Sequence, residues 1–319
     1  MFTVPDEAAL ALPDLPRRPQ SYRRRALTAT SGSEEARDLS LINPKAPRAS
    51  HRRSIKLGVV VALAAAFALG GLATSPASAQ AAGKKVVIVV GPAGASTANY
   101  IYNAKKYAAQ ARSYGAVVYE IYSPNATWAK VKSVAQGANL FIYLGHGNGW
   151  PSPYAPFQTL TKDGLGLNST AGNGNYNVKY WGESYVDTYI HLAPYAVVVF
   201  NRLCYASGDS EWGAANPTKS TAIARVDNYA NGFLRANAKA VFAEGVSSIS
   251  YVISGLFTTN RTMSQIFWSA ASATKTYSFT FTTTRYPGAA AVMDPSSPGR
   301  YYRSLVGVMA LTATKWRTG

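Results

Sequence analysis

From residue 84 onward the sequence predicts an α/β fold built on a largely parallel sheet, on three observations. Apolar runs of strand length, such as Val86-Val87-Ile88-Val89-Val90, show no alternation, so both faces of the sheet must be covered. Segments between them repeat apolar residues at helical spacing. Gly or Pro marks most of the junctions.

The elements follow in order. The first run ends in Gly91-Pro92-Ala93-Gly94, which lacks the spacing of a phosphate-binding loop and reads as a strand-to-helix turn. Ser96 or Thr97 offers an N-cap. Ile101, Ala104, Ala108 and Ala111 then share one helical face, with Lys105, Lys106 and Gln110 opposite. Gly115 suits a left-handed C-cap. Residues 116–122 form a second strand. Trp128, Val131 and Val134 stripe a second helix that Gly137 ends. The third strand, 140–144, runs into Gly145-His146-Gly147. Right-handed crossovers make these strands parallel and place their C-terminal ends on one edge, where ligand sites of such sheets lie.

Residues 150–181 are rich in Gly, Asn, Tyr, Ser and Thr and read as a long irregular loop. Its aromatics (Trp150, Tyr154, Phe157, Tyr176, Tyr180, Trp181) either line a substrate groove or pack the loop onto the body. A short helix or turn over 185–192 precedes a fourth strand, 195–202, which drives into Leu203-Cys204. A helix over 221–236 and a fifth strand over 238–243 follow. Helices are expected at 253–257 and 263–271, an alternating hairpin strand at 277–285 and a last strand within 301–314. The α/β domain thus spans 80–319, with a core at about 84–250 and a C-terminal extension at 251–319.

The 319-residue chain is 47% hydrophobic and only 15% charged, a profile that suits an extracellular globular protein. Residues 1–50 read as a disordered leader or as residues ahead of a later true start. Residues 51–79 read as a signal peptide: basic His51-Arg52-Arg53, an apolar run over 57–72, then Ala77-Ser78-Ala79. Cleavage near Ala79 and a secreted or cell-surface protein are expected; an uncleaved single-span anchor is the alternative. The formal charge is +17, and 80–319 holds 21 Lys and Arg against 9 Asp and Glu. Anionic partners follow from that balance, including phosphate-rich cell-wall polymers, acidic lipids and acidic peptides. The basic residues form no dense run and no nucleic-acid module, so nucleic acid is not expected.

The single cysteine excludes an internal disulfide. With three histidines and one cysteine, a Cys/His zinc site is excluded, and no EF-hand-like spacing is present, so neither metal nor cofactor is expected. No Gly-x-Ser-x-Gly elbow supports a serine hydrolase. His146 and Cys204 remain, at the ends of two apolar strands on one sheet edge, while His191 belongs nearer the opposite edge. A thiol beside an imidazole is a competent nucleophile, and the imidazole then serves as acid and base. The N–H groups of Gly147 and Cys204 suit an oxyanion.

Tyr143-Leu144-Gly145-His146-Gly147 resembles the histidine block of metacaspases, and Leu203-Cys204-Tyr205-Ala206-Ser207-Gly208 is similar to the family's cysteine block. Leu203 stands where that family usually has Ala or Ser. Together with the strand–helix order, over roughly 86–244, the chain resembles the caspase-like cysteine peptidases (caspases, metacaspases, legumains and gingipains). The resemblance implies a three-layer α/β/α sandwich around a mostly parallel sheet, and hydrolysis of a peptide or protein substrate by a Cys204/His146 dyad. It implies that Arg202, two before the cysteine, lines the S1 pocket and favours an acidic P1 group, unless it pairs with Asp209 or Glu211. Trp150 is a further candidate for substrate binding. The alternative is a catalytically inactive secreted relative that binds wall polymer or peptide through the 150–181 loop.

Overall fold

The computed structural model describes residues 83–319. The leader and signal peptide read at 1–50 and 51–79 lie outside the described residues, as does the cleavage point near Ala79. Among the described residues no helix is long and apolar enough to cross a membrane.

β1 (Lys85–Val90) is buried on both faces from Val86 onward, as its unbroken β-branched run requires. α1 (Thr97–Ser113) presents Ala104, Tyr107, Ala108 and Ala111 to the sheet. Thr97, rather than Ser96, uses its side chain at the start of this helix: its Oγ1 accepts the Ala93 N–H at 2.9 Å. Gly115 just past the end has φ +83°, the left-handed geometry expected of it. β2 (Val117–Tyr122), α2 (Trp128–Ala135) and β3 (Leu140–Leu144) follow the predicted order. Further on come α3 (Glu183–Tyr189), β6 (Ala196–Asn201), a one-turn helix α4 (Cys204–Ser207), α5 (Lys219–Arg235) and β7 (Ala238–Glu244). The C-terminal part supplies α6 (Ser250–Thr258), α7 (Met263–Phe267), β8 (Phe279–Thr282), β9 (Ala290–Met293), β10 (Arg303–Gly307) and α8 (Ala313–Thr318).

Eight strands form one sheet in the order β2-β1-β3-β6-β7-β10-β9-β8. The first five are parallel; β10, β9 and β8 are then added in that order, each antiparallel to the strand before it. Alternate strand residues feed two cores. Val87, Phe141, Val198 and Phe200 pack with α2, α3 and α5, whereas Val86, Ile142, Val199 and Phe242 pack with α1, α6, α7 and α8. The result is a large, mostly parallel sheet flanked by helices, compatible with a three-layer sandwich. Residues 250–319 supply three of the eight strands of the sheet and three of the four helices of one layer.

The 150–181 loop departs from expectation. It contains a two-stranded hairpin, β4 (Leu165–Asn168) with β5 (Val178–Trp181). Leu165 and Leu167 sink into the core beneath it, which gives the segment the anchor an irregular loop would lack. Trp181 stacks on Trp128 with ring centroids 5.2 Å apart.

Charge enters the core where β7, β9 and β10 meet. The fully enclosed Arg303 guanidinium bonds Glu244 at 2.7 Å, Asp294, and the Phe267 carbonyl at 2.6 Å. Removing one member of such a group strands the others without water. Arg303→Ala is therefore expected to lower unfolding stability by about 3–5 kcal/mol in urea titrations. Burial already raises the Glu244 carboxyl above its ordinary value, and that rise grows without Arg303. A carboxyl raised in the folded state favours folding at low pH and loses that support as pH rises, so the variant regains stability on acidification.

Candidate active site

β3 and β6 are hydrogen-bonded parallel neighbours with Leu144 opposite Asn201. His146 lies two residues beyond one strand and Cys204 three beyond the other, so both leave the same sheet edge. Cys204 follows the strand as the first residue of α4. The connection turns through Arg202, whose φ of 63° is left-handed. Its N–H is tied to the Glu244 carbonyl at 3.0 Å. Asn201, fully buried, secures the same corner: its amide donates to the carbonyls of Glu244 (2.9 Å) and Ser247 (2.8 Å) and accepts from Tyr107.

The histidine turn is held from below. The Tyr143 hydroxyl lies 2.7 Å from the carbonyl oxygens of both His146 and Gly166 and accepts the Gly166 N–H at 3.1 Å. A Cβ at Gly91 or Gly145 would collide with that hydroxyl. One at Gly147 would strike the Tyr229 hydroxyl and press on Leu203. Leu203 is fully buried and fills the space under the turn. Asp163 accepts the Trp150 N–H at 2.9 Å and donates its own N–H to Asn148 at 3.0 Å. Lys162, also buried, bonds Asn148 at 2.8 Å and the Tyr154 carbonyl. Burial holds the Asp163 carboxyl well above the usual carboxylate range.

A cleft of about 610 Å³ opens beside Cys204. Arg202, Asp209, Glu211, Trp212 and Arg300 line it with the thiol. Trp212 is 96% exposed at its mouth. The two acids are engaged: Glu211 accepts from Tyr154 (3.2 Å) and Tyr205 (3.3 Å), and Asp209 accepts the Ser210 N–H at 2.8 Å. Arg225 fixes this loop through the Asp209 carbonyl (3.0 Å), and the Pro151 carbonyl at 2.7 Å. By contrast the Arg202 Nε is buried with no hydrogen-bond partner, and Arg202 makes no ion pair with Asp209 or Glu211.

Of the residues singled out in the sequence, Cys204 and Arg202 therefore share the cleft. His146 is exposed on the neighbouring strand end, and Trp150 lies outside the lining. Trp150 is held by its backbone: its N–H donates to Asp163, and its carbonyl accepts from Asn228 at 2.8 Å. The Gly147 N–H donates no backbone–backbone hydrogen bond among the described residues, and the Cys204 N–H lies against its own thiol. No group of three or more His, Cys, Asp or Glu that could hold a metal ion occurs among the described residues. Tyr143, Lys162, Asp163, Arg225 and Arg300 escaped sequence reasoning. Only Tyr143 carried a signal, as the one polar-tipped residue in an otherwise apolar strand.

Burial pushes the Cys204 thiol up to about 11, and Asp209 and Glu211 add to the rise. The resting thiol is thus protonated at neutral pH. Its alkylation by iodoacetamide is expected to be slow at pH 7 and to climb about tenfold per pH unit towards that value. Asp209→Asn and Glu211→Gln should each shift the alkylation profile to lower pH, read by mass spectrometry of the labelled protein. Tyr143→Phe, which removes the hydroxyl from the Gly166 carbonyl while the His146 carbonyl keeps the Gly166 N–H at 3.0 Å, should cost about 1–3 kcal/mol of stability.

No family model, curated protein or solved structure matches this chain.

Proposed function

We propose that the chain is an exported cysteine-type peptidase of the caspase-like kind, with Cys204 as nucleophile and His146 as acid and base. The observation that carries this reading is the β3–β6 register, by which neighbouring parallel strands end in a His-Gly turn and in the only cysteine, beside a cleft. The resemblance of the two blocks to that family points the same way.

In the proposed reaction the Cys204 Sγ attacks the scissile carbonyl carbon as its proton passes to His146. A protonated resting thiol fits such general-base transfer better than a standing ion pair. The N–H groups of Gly147 and Cys204 donate to the oxyanion. His146 then protonates the departing amine as the C–N bond breaks. Water attacks the thioester, giving its proton to His146, and the C–S bond breaks to release the acid and restore the thiol. Arg202 receives a P1 carboxylate, because its guanidinium has an unsatisfied buried donor while the cleft's acids are already engaged.

A second reading, an inactive relative that binds peptide or wall polymer, draws on the elevated thiol and on a cleft lining without His146. Fluorogenic peptide libraries separate the two. Under the peptidase reading Cys204→Ala loses all turnover and His146→Ala loses about 10²–10⁴-fold in kcat/KM. Arg202→Glu raises KM for acidic P1 substrates about ten- to hundredfold. Turnover that survives Cys204→Ala rejects the assignment, and cleavage only after Lys or Arg rejects the P1 preference. Peptide binding without turnover by the wild type establishes the second reading.

A further inference from the structure

The acids and bases of this domain are sorted in space. Of its nine Asp and Glu, six are buried, Glu120 and Glu211 are half-buried, and Asp187 is the single exposed acid. The lysines, apart from Lys162, all reach the surface. The outer shell is therefore close to purely cationic, and the sorting has a direction. Asp209 and Glu211 sit at the C-terminal edge of the parallel strands, in the cleft. The opposite edge gathers Lys84 and Lys85 at the entry to β1, Lys132 at the end of α2, Lys239 at the start of β7, Arg261 after α6 and Lys315 in α8. Glu120, on β2, is tied to Arg112 at 2.5 Å, leaving Asp187 to oppose this group.

Aromatic rings are interleaved with these cations. Lys85 lies over Tyr119 (5.0 Å), Lys132 over Tyr189 (5.1 Å) and Lys315 over Tyr195 (4.7 Å), with Tyr119 and Tyr189 exposed. Lys85 also donates to the Gln136 carbonyl at 2.7 Å, and Gln136 to the Tyr189 carbonyl at 2.8 Å, which knits the strand entries and helix ends into one face. Lys or Arg beside Tyr and Trp is the composition of surfaces that meet lipid headgroups.

We propose that this edge, on the far side of the sheet from the cleft, docks on an anionic phospholipid surface. The occupant is lipid rather than a soluble polyanion on two grounds: the tyrosines interleaved with the cations, and the apolar run 57–72, which as the uncleaved single-span anchor ends eleven intervening residues before Lys84. Docked this way, the cleft faces solvent. The proposal does not depend on peptidase activity.

The test is flotation of the full chain with phosphatidylcholine vesicles, with and without phosphatidylglycerol. The difference between the two isolates the electrostatic part from whatever residues 57–72 contribute to both. Two triple variants of equal net charge are compared: Lys239→Glu/Arg261→Glu/Lys315→Glu on the proposed face, and Lys179→Glu/Lys219→Glu/Lys275→Glu elsewhere. The expected result is a loss of at least about a hundredfold in phosphatidylglycerol-dependent partitioning for the first set, given about fivefold per lysine near such a surface, with little change for the second. Circular dichroism checks that both sets fold; should the first set unfold, single substitutions replace it, each expected to cost about fivefold. Equal loss in both sets, no loss in either, or face-dependent binding to soluble polyphosphate without binding to vesicles overturns the proposal.

Discussion

The end of β3 has room for the Tyr143 hydroxyl or for side chains at 91 and 145, but not for both. The hydroxyl occupies that space and joins three pieces of chain: the exit of β1 at Gly91, the His146 turn, and β4 through Gly166. A side chain at Gly145 is barred by this group, and one at Gly91 by this group together with the Gly166 carbonyl, whose oxygen a Cβ there would strike. A phenol buried at a strand end must find partners, and here it bonds the Gly166 carbonyl and joins the existing bond between the Gly166 N–H and the His146 carbonyl.

The second half of the site rests on a different kind of support. β6 lies between β3 and β7 with every residue buried, so its direction is fixed by packing on both faces. Past Asn201 that support ends. The chain is then held by single groups, namely the Asn201 amide, the Glu244 carbonyl and the Arg225 guanidinium. The buried Arg303 cluster stands behind Glu244, so the charged interior of the antiparallel half bears on the geometry of the parallel half.

What the sequence revealed divides along the same line. β1, β3 and β6 were legible because fully apolar runs leave no choice of face, and α1 because its stripe and its Gly115 agree. The hairpin at 165–181 was hidden, since two leucines separated by one glycine are too short a pattern to carry periodicity. Pairing with β5 and burial decided it. Leu203 looked like a departure from the histidine–cysteine pattern. In three dimensions it is the apolar floor beneath Gly147, a relation across 56 positions that no local pattern encodes. Lys162 and Asp163 were unreadable for the opposite reason: charged residues in a Gly-rich stretch signal exposure, yet both lie inside, each bonded to the backbone or side chains of the histidine turn.

Arg202 holds a side chain across the cleft from a backbone conformation that costs a non-glycine residue roughly 1–2 kcal/mol. A glycine there would relax the corner, and by that measure the domain is less stable than its own topology permits. Any selection for thermal robustness alone would drift towards replacing this arginine and would erase the guanidinium as it did so. Under the proposed function, the residue marks a position where durability and recognition pull the chain in opposite directions.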